Sequence, residues 1–390
     1  MSVAVLVSPA VPQAGGNGLA MRAGMLLEAL AGGFEVDLVV VPVSGPVADV
    51  EWPQSLARSL VVLEPVSGSA VEAHVKRQLA DPALRERLVR TAPQPSRALA
   101  APPTLAAEAS VRLGPKSRRP RALVALRGYL APFASTLARA LEAKRLVIDM
   151  DEDEEPLARS LGAREEADAV GRLARAWLPD ADVVCAAAEH EARQIGTRYG
   201  CRAVAMLPNA VRLPPPIPPP TGDGRLLFVG NLTYEPNREA ANVLVQEILP
   251  LVRESHPGAT ATVVGAHDGR VVTTPNVQVT GAVPDLRPYY EAADVVVAPL
   301  VHGGGTRIKV LEAFSYRRPV VATSVAVSGL AVRDGAEALL AETPHELARA
   351  AAALLADPSR GLGLVESAAE LLAARYTQDV VTPQVLQLLA

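Results

Sequence analysis

Aromatic side chains are scarce in this sequence: 4 Phe, 7 Tyr and 2 Trp in 390 residues, or 3% of the chain. Ala, Leu, Val, Arg and Pro dominate instead, which reads as a composition bias rather than a functional signal. Cysteine is nearly absent. Cys185 and Cys201 form no C-x-x-C and have no clustered His beside them, so neither a disulfide framework nor a structural zinc site is expected. A reduced, cytoplasmic setting fits. An excess of positive charge is also missing, with 38 Lys and Arg against 42 Asp and Glu, a net charge of −4 and a pI of about 6.0. A protein whose task is to wrap nucleic acid needs a basic face, so that class is excluded. No stretch approaches the roughly 18 uncharged apolar residues that span a bilayer. The opening "MSVAVLVSPAVPQAGG" lacks a basic start and is broken at Pro9 and Pro12, so it reads as a first strand and not as a signal peptide.

What is present is apolar residue in quantity, 49% of the chain. That suffices for substantial cores, and the length favours two domains over one. Short β-branched runs alternate with helical stretches, the pattern of parallel sheets covered on both faces. Strands are expected at 3–7, 35–41, 60–64, 121–126, 145–150, 182–187 and 202–207, then at 225–230, 259–265, 277–281, 293–300, 319–323 and 338–341. Between the two sets lies "RLPPPIPPPTGDG", 212–224, whose six prolines forbid helix and give a stiff extended tether ending in flexible glycines. The expected organisation is a first domain over 1–211, a linker over 212–224, a second domain over 225–372 and a helical segment over 373–390 that packs back on the first domain. Residues 91–120, rich in Pro, Ala and Arg, read as a loop or loosely ordered excursion.

One stretch carries chemistry. "VHGGGTRIKVLEAF", 301–314, sets three glycines beside a helix that follows an apolar strand. It is not a Walker A loop, since spacing and hydroxyl are both wrong. Nor is it a dinucleotide fingerprint, since the required last glycine falls on Ile308. What remains is strand, glycine loop and helix N-terminus, an arrangement that aims free N–H groups at an anion. Thr306 is the expected N-cap. In a helix from Arg307 to about Tyr316, Lys309 and Glu312 share one side. Lys309 suits phosphate, and Glu312 suits ribose hydroxyls. A plain i, i+3 ion pair is the competing reading, but the glycines cost backbone entropy and favour close approach of a ligand.

With its flanks, "ADVVVAPLVHGGGTRIKVLEAFSYRRPVVAT" resembles the C-terminal signature of bacterial GT-B glycosyltransferases of the large group called family 4. "LLFVGNLTYEPNREAANVLVQEILPLV", "ATVVG" and "VQVTGAVPDLRPYYEAADVVV" stand in the same order. The resemblance is strong over 225–345. Over the N-terminal half, "GGNGLAMRAGMLLEAL", "VIDMDEDE" and "MLPNAV" carry it more faintly.

It implies an α/β chain of two Rossmann-like domains facing across a cleft, the second gripping a nucleotide-diphosphate-sugar. It also implies ribose contact by Glu312, backbone contact to the diphosphate from Gly303, Gly304, Gly305, Thr306 and Ile308, and base contact at Gly281, Ala282 and Val283. Gly230 and Asn231 fall on the donor side, and His302 flanks the glycine loop. Two departures stand out. Gly304 occupies the position of the first glutamate of the family's paired-glutamate motif, and Asn231 with Pro236 and Asn237 replace an Arg and Lys that clamp phosphate. Arg307 and Lys309 are the candidates to replace that clamp and act in catalysis, with Arg238 a third.

On the first domain, Gly15, Gly16, Asn17, Gly18 and Arg22 read as a flexible cleft lip for substrate, against a bland β/α turn. "DMDEDEE", 149–155, fails as an EF-hand because Glu154 replaces the required glycine. Asp149 and Asp151 read as strand-end carboxylates able to orient an acceptor, with Asp149 as a candidate base; the rest suits a helix start. The basic residues Arg112, Lys116, Arg118, Arg119 and Arg121 suit either an anionic membrane or a solvated loop.

The expected function is sugar transfer from a nucleotide-sugar to a specialised metabolite, glycolipid or polysaccharide precursor, without metal or other cofactor. The resemblance implies retention of configuration. A sugar-nucleotide epimerase or a non-catalytic GT-B partner are the competing readings.

Overall fold

The computed structural model describes residues 2–15, 18–44, 50–303 and 307–389. The chain forms two compact units, residues 1–208 with 381–390, and residues 209–380. Both are built on parallel sheets.

The first unit's strands are β1 Val3–Ser8, β2 Glu35–Val40, β3 Ser59–Val62, β4 Ala122–Leu126, β5 Leu146–Asp149, β6 Val183–Ala186 and β7 Val204–Met206. Their order is β3-β2-β1-β4-β5-β6-β7. The second unit holds β8 Arg225–Val229, β9 Thr260–Val264, β10 Val277–Val279, β11 Val295–Ala298, β12 Val320–Ala322 and β13 Leu339–Leu340. Here the order is β10-β9-β8-β11-β12-β13. Each sheet thus grows outward from its first strand in one direction and then the other, the doubly wound order that opens a crevice at the carboxyl ends of its central strands. Register is in line at both centres, with Val5 beside Leu123 and Leu227 beside Val296.

These strands are continuous apolar runs because helices cover both faces. β4, β6 and β11 are buried at every position. In place of aromatics, valine, leucine and alanine fill the cores, with Trp177, Phe133, Phe228 and Phe314 among the few large rings fully enclosed.

Two expectations change. Residues 91–120 are not a loop throughout: helices run Ser96–Ala100 and Leu105–Leu113, and the latter buries Leu105, Ala106, Ala109 and Leu113. Its buried stripe is half alanine, too weakly apolar to show a helical period in the sequence. The proline-rich stretch, expected as a stiff extended tether, is held along its length. Proline lacks a donor but keeps its carbonyl, and Arg287 donates to Pro215 O at 3.1 Å and Pro216 O at 3.0 Å. Buried Arg318 donates to Pro218 O at 2.6 Å. The segment is strapped along the second unit.

The helix that follows β8 runs Glu235–Val243, passes through a π-turn at Leu244–Ile248 and continues Leu249–Ser255. The Leu249 N–H bonds Leu244 O, five residues back. At the chain's end, Gln378–Leu388 carries Pro383 inside the helix, and residues 381 onward belong to the first unit. Among the described residues no helix is long and apolar enough to cross a membrane.

Candidate functional site

The carboxyl ends of the second sheet's strands meet at three glycines. Gly230 follows β8 and donates to Val264 O at 2.9 Å, while Gly265 follows β9 and donates to Gly281 O at 3.0 Å. Gly265 has φ +149°, and a Cβ there would stand 1.8 Å from Gly230 O. Only glycine permits this approach. Gly281 has φ +76° with open space where a Cβ would be. Beyond it, Ala282 is exposed and Val283 half-buried.

The helix after β11 spans Ile308–Ser315, with Arg307 at its N-cap position making no side-chain cap. Gly304, Gly305 and Thr306 lie outside the described residues. Gly303 takes φ +129°, and a Cβ there would meet Arg307 Nη1 at 2.3 Å. Arg307 is buried, 8% exposed, and donates to Gly303 O at 2.5 Å. His302 Nε2 is 3.9 Å from Glu239 Oε2.

Lys309 and Glu312 lie one turn apart on this helix and act on each other electrostatically, with no ion pair between them among the described contacts. Lys309 Nζ donates to Asn237 Oδ1 at 2.7 Å and sits 5.7 Å from the Phe228 ring centroid. Asn237 Nδ2 in turn donates to Asn231 O at 2.9 Å. On the same helix face, Tyr290 donates its hydroxyl to Glu312 Oε2 at 3.1 Å and stacks on Tyr316 at 4.4 Å.

Burial, with Arg307 adding to it, pushes Lys309 down to about 7 against a smaller pull from Glu312. Burial likewise lifts Glu312 to about 7, opposed by the Tyr290 hydrogen bond and by Lys309. Both side chains are part-buried, and each is met by a neutral partner, Lys309 by Asn237 and Glu312 by Tyr290.

Arg238 is nearby in sequence but points elsewhere. It is buried and pairs with Glu235, and its Nη1 lies 4.0 Å from Asp268 Oδ2. Sequence reasoning missed the partners Asn237, Tyr290 and Phe228. Their signals, an Asn after Pro236 and a Tyr in "PYYEA", acquire meaning only in three dimensions.

The first sheet's corresponding edge is different. Gly16 and Asn17 lie outside the described residues, Gly15 is exposed, and Gly18 starts the helix Gly18–Ala31. Arg22, one turn in, is no lip residue. It is wholly buried and grips Asp149 with Nε–Oδ2 at 2.7 Å and Nη2–Oδ1 at 2.8 Å. A third bond goes to Leu207 O at 2.8 Å. Burial works against the Arg22 charge, but Asp149 and Asp151 outweigh it and hold the group above its ordinary value.

The expectation of Asp149 as a base gives way here: its carboxylate is 0% exposed and both oxygens are bound. Asp151, also buried, takes φ +62° and pairs with Arg127 at 3.0 Å. Arg127 itself has φ +78° and reaches Glu152 at 2.8 Å. Asp153 caps the next helix through Glu155 N at 3.2 Å and accepts from Tyr199 at 2.6 Å. The acidic run is thus shared out, mostly among arginines. The basic residues 112–121 are similarly spoken for in part: Arg112 with Glu108 at 3.3 Å, Arg118 and Arg119 with Glu142 at 3.5 and 2.8 Å, and Arg121 with Leu389 O at 2.8 Å.

Residues 223–357 match the family model described as Glycosyl transferases group 1. None of the curated proteins matches the chain. Among solved structures, Anabaena HepE in complex with UDP and glucose superposes with a TM-score of 0.67 at 14% identity, over 99% of both chains. Sucrose-phosphate synthase from Thermosynechococcus elongatus does so at 0.68 and 18% identity, over 100% of this chain and 98% of that one. A mutant of S. aureus TarM in complex with fondaparinux, alpha-GlcNAc-glycerol and UDP gives 0.72 at 10% identity, over 100% of both. The fold is GT-B, and the second unit carries the group 1 glycosyltransferase signature.

Proposed function

We propose that this chain, GT-B in fold and group 1 in its second unit, moves a sugar from a nucleotide-diphosphate-sugar to an acceptor hydroxyl. The observation that carries the reading is the pair on the Ile308–Ser315 helix, Lys309 held by Asn237 and Glu312 held by Tyr290, beside the glycine rim of β8 to β10. The solved structures of Anabaena HepE in complex with UDP and glucose, with UDP-glucose and with UDP lend it support.

In this reading Glu312 accepts from the ribose hydroxyls, and Gly281 to Val283 flank the base. Lys309, with Arg307 and the amides of Gly303 to Ile308, meets the diphosphate. As the bond from the sugar's anomeric carbon to phosphate oxygen breaks, its electron pair leaves with the diphosphate. Stabilising that developing charge is the main catalytic demand. Hydrogen bonds to charged groups contribute about 1.5–3 kcal/mol each, so these groups supply a useful share of the roughly 8–23 kcal/mol by which enzymes lower barriers. The acceptor hydroxyl forms the new bond on the face the diphosphate leaves, and its proton passes to the departing phosphate oxygen. Configuration is retained, and no metal is required of this set. No base from the first unit is assigned, Asp149 being enclosed. The acceptor is a glycan-type, glycolipid or specialised-metabolite hydroxyl.

The test incubates the protein with UDP-, GDP-, ADP- and TDP-sugars, with and without candidate acceptors, following nucleotide release and sugar identity alongside calorimetric binding. Release that depends on acceptor supports transfer. Sugar interconversion without acceptor would instead make the protein an epimerase. Lys309→Ala and Glu312→Ala should each weaken the nucleotide at least tenfold, and unchanged affinity in both would remove the assigned site.

A further inference from the structure

Lys309 reaches its position through a long side chain of several rotatable bonds, and confining such a side chain costs rotamer freedom that its contacts must offset. Among the described contacts, two groups confine it. One is the Phe228 ring, 5.7 Å from Nζ; the other is Asn237 Oδ1, at 2.7 Å. The asparagine is itself oriented. Its Nδ2 donates to Asn231 O at 2.9 Å, so the amide cannot turn its NH2 toward the ammonium without losing that bond.

The space it occupies exists because residue 230 is glycine, where a Cβ would stand 3.1 Å from the Asn237 amide. Asn237 is 8% exposed, so its bonds compete little with water. The choice of amide over carboxylate matters: a neutral acceptor fixes the ammonium without cancelling its charge. The charged groups that bear on Lys309 are Arg307 and Glu312.

We infer that Asn237 is a positioning residue for Lys309, holding the ammonium at the glycine-lined strand ends so that its remaining donors meet a nucleoside diphosphate; the inference rests on the function proposed above. Asn237 does not touch the nucleotide in this assignment. It acts through the lysine alone, and the segment Asn231–Asn237 becomes part of the phosphate site by way of a side chain 72 positions further along.

The experiment measures affinity calorimetrically for whichever of UDP, GDP, ADP or TDP the native protein binds most tightly, and for its parent nucleoside. Native protein, Asn237→Ala, Asn237→Asp, Lys309→Ala and the Asn237→Ala/Lys309→Ala double variant are compared from pH 6 to 9. Asn237→Ala should weaken the diphosphate about tenfold, leave the nucleoside unchanged, and add less than twofold in the Lys309→Ala background. Asn237→Asp, nearly isosteric and the fallback if the alanine variant does not fold, should move the alkaline limit of diphosphate binding to higher pH, because a carboxylate keeps the proton on Lys309. Equal weakening of nucleoside and diphosphate, a full tenfold loss retained without Lys309, or an alkaline limit unmoved in Asn237→Asp would each overturn the positioning role. If the native protein binds none of the four, or Lys309→Ala leaves affinity intact, the donor-site reading fails and this inference falls with it.

Discussion

The two sheet edges carry the same kinds of side chain and treat them oppositely. At the first, Asp149 and Arg22 are wholly buried and joined by two charge-assisted bonds, and the neighbouring Asp151 pairs with Arg127. Charge is met by charge and sealed in. At the second, Lys309 and Glu312 share a helix face but take Asn237 and Tyr290 as partners. Those partners orient without neutralising. Burial of charge is tolerable when it is paired and costly when it is not, so the first arrangement is a fastener while the second leaves its charges without a charged partner of their own, as the proposed donor site requires.

The contrast is broken most forcefully at the fastener. Asp149→Ala leaves the buried Arg22 guanidinium with only Leu207 O and the more distant Asp151 among its described partners, and loss of one member of a buried pair costs about 3–5 kcal/mol. Urea unfolding should show that loss, and the double replacement Arg22→Met/Asp149→Leu should recover most of it, since apolar residues of similar volume replace buried pairs at little cost. A drop well under 1 kcal/mol for Asp149→Ala would mean the two edges do not differ in kind.

A second effect, smaller, belongs to the poised edge and has a definite sign. Glu312 is raised to about 7, so between its ordinary value of about 4.3 and about 7 the folded protein holds a proton that the unfolded chain has released. Its contribution is complete at low pH and falls as pH rises through that window. Lys309 is lowered to about 7, so between about 7 and the ordinary lysine value of about 10.4 the unfolded chain holds the extra proton. Its contribution therefore improves as pH rises. Together they make this pair least favourable near pH 7. The double variant Lys309→Met/Glu312→Gln should flatten that trough in a pH series of urea midpoints, and saturating nucleotide diphosphate should fill it in the native protein. A trough that survives the double variant assigns it elsewhere.

The smallest effect is expected outside both edges. Arg118 and Arg119 meet Glu142 at the surface, where water and salt screen ion pairs. Their joint replacement by alanine should leave the urea midpoint unchanged within error, and vesicle binding by either protein would be needed to give that stretch a membrane role.

Much of this was legible in the sequence, for reasons that separate local from distant causes. Most strands among the described residues announced themselves as β-branched runs between turn residues, because a strand buried on both faces must be apolar along its length. The Ile308–Ser315 helix and the shared face of Lys309 and Glu312 follow from 3.6-residue spacing. What spacing cannot reveal is a partner brought in by topology. Arg22 and Asp149 are 127 positions apart, Asn237 and Lys309 are 72 apart, and Tyr290 and Glu312 are 22 apart. Asp149 accordingly looked like a free strand-end carboxylate, and Asn237 like the place where a cation had been lost. The alanine-lined helix Leu105–Leu113 escaped for a different reason, its buried face being too small-chained to stand out from a sequence already rich in alanine.

The π-turn at Leu244–Ile248 gives the second site an adjustment of its own. Such a turn holds one residue more than the α-helical count, and each residue of an α-helix advances about 100° around the axis. The segment that presents Asn237 and the segment that buries Leu249 and Val252 are therefore set on independent dials. The inner half can stay seated in the core while the outer half is clocked to face Lys309. The same residues wound as an unbroken α-helix would swing Asn237 about a quarter turn off its lysine, with the seat undisturbed.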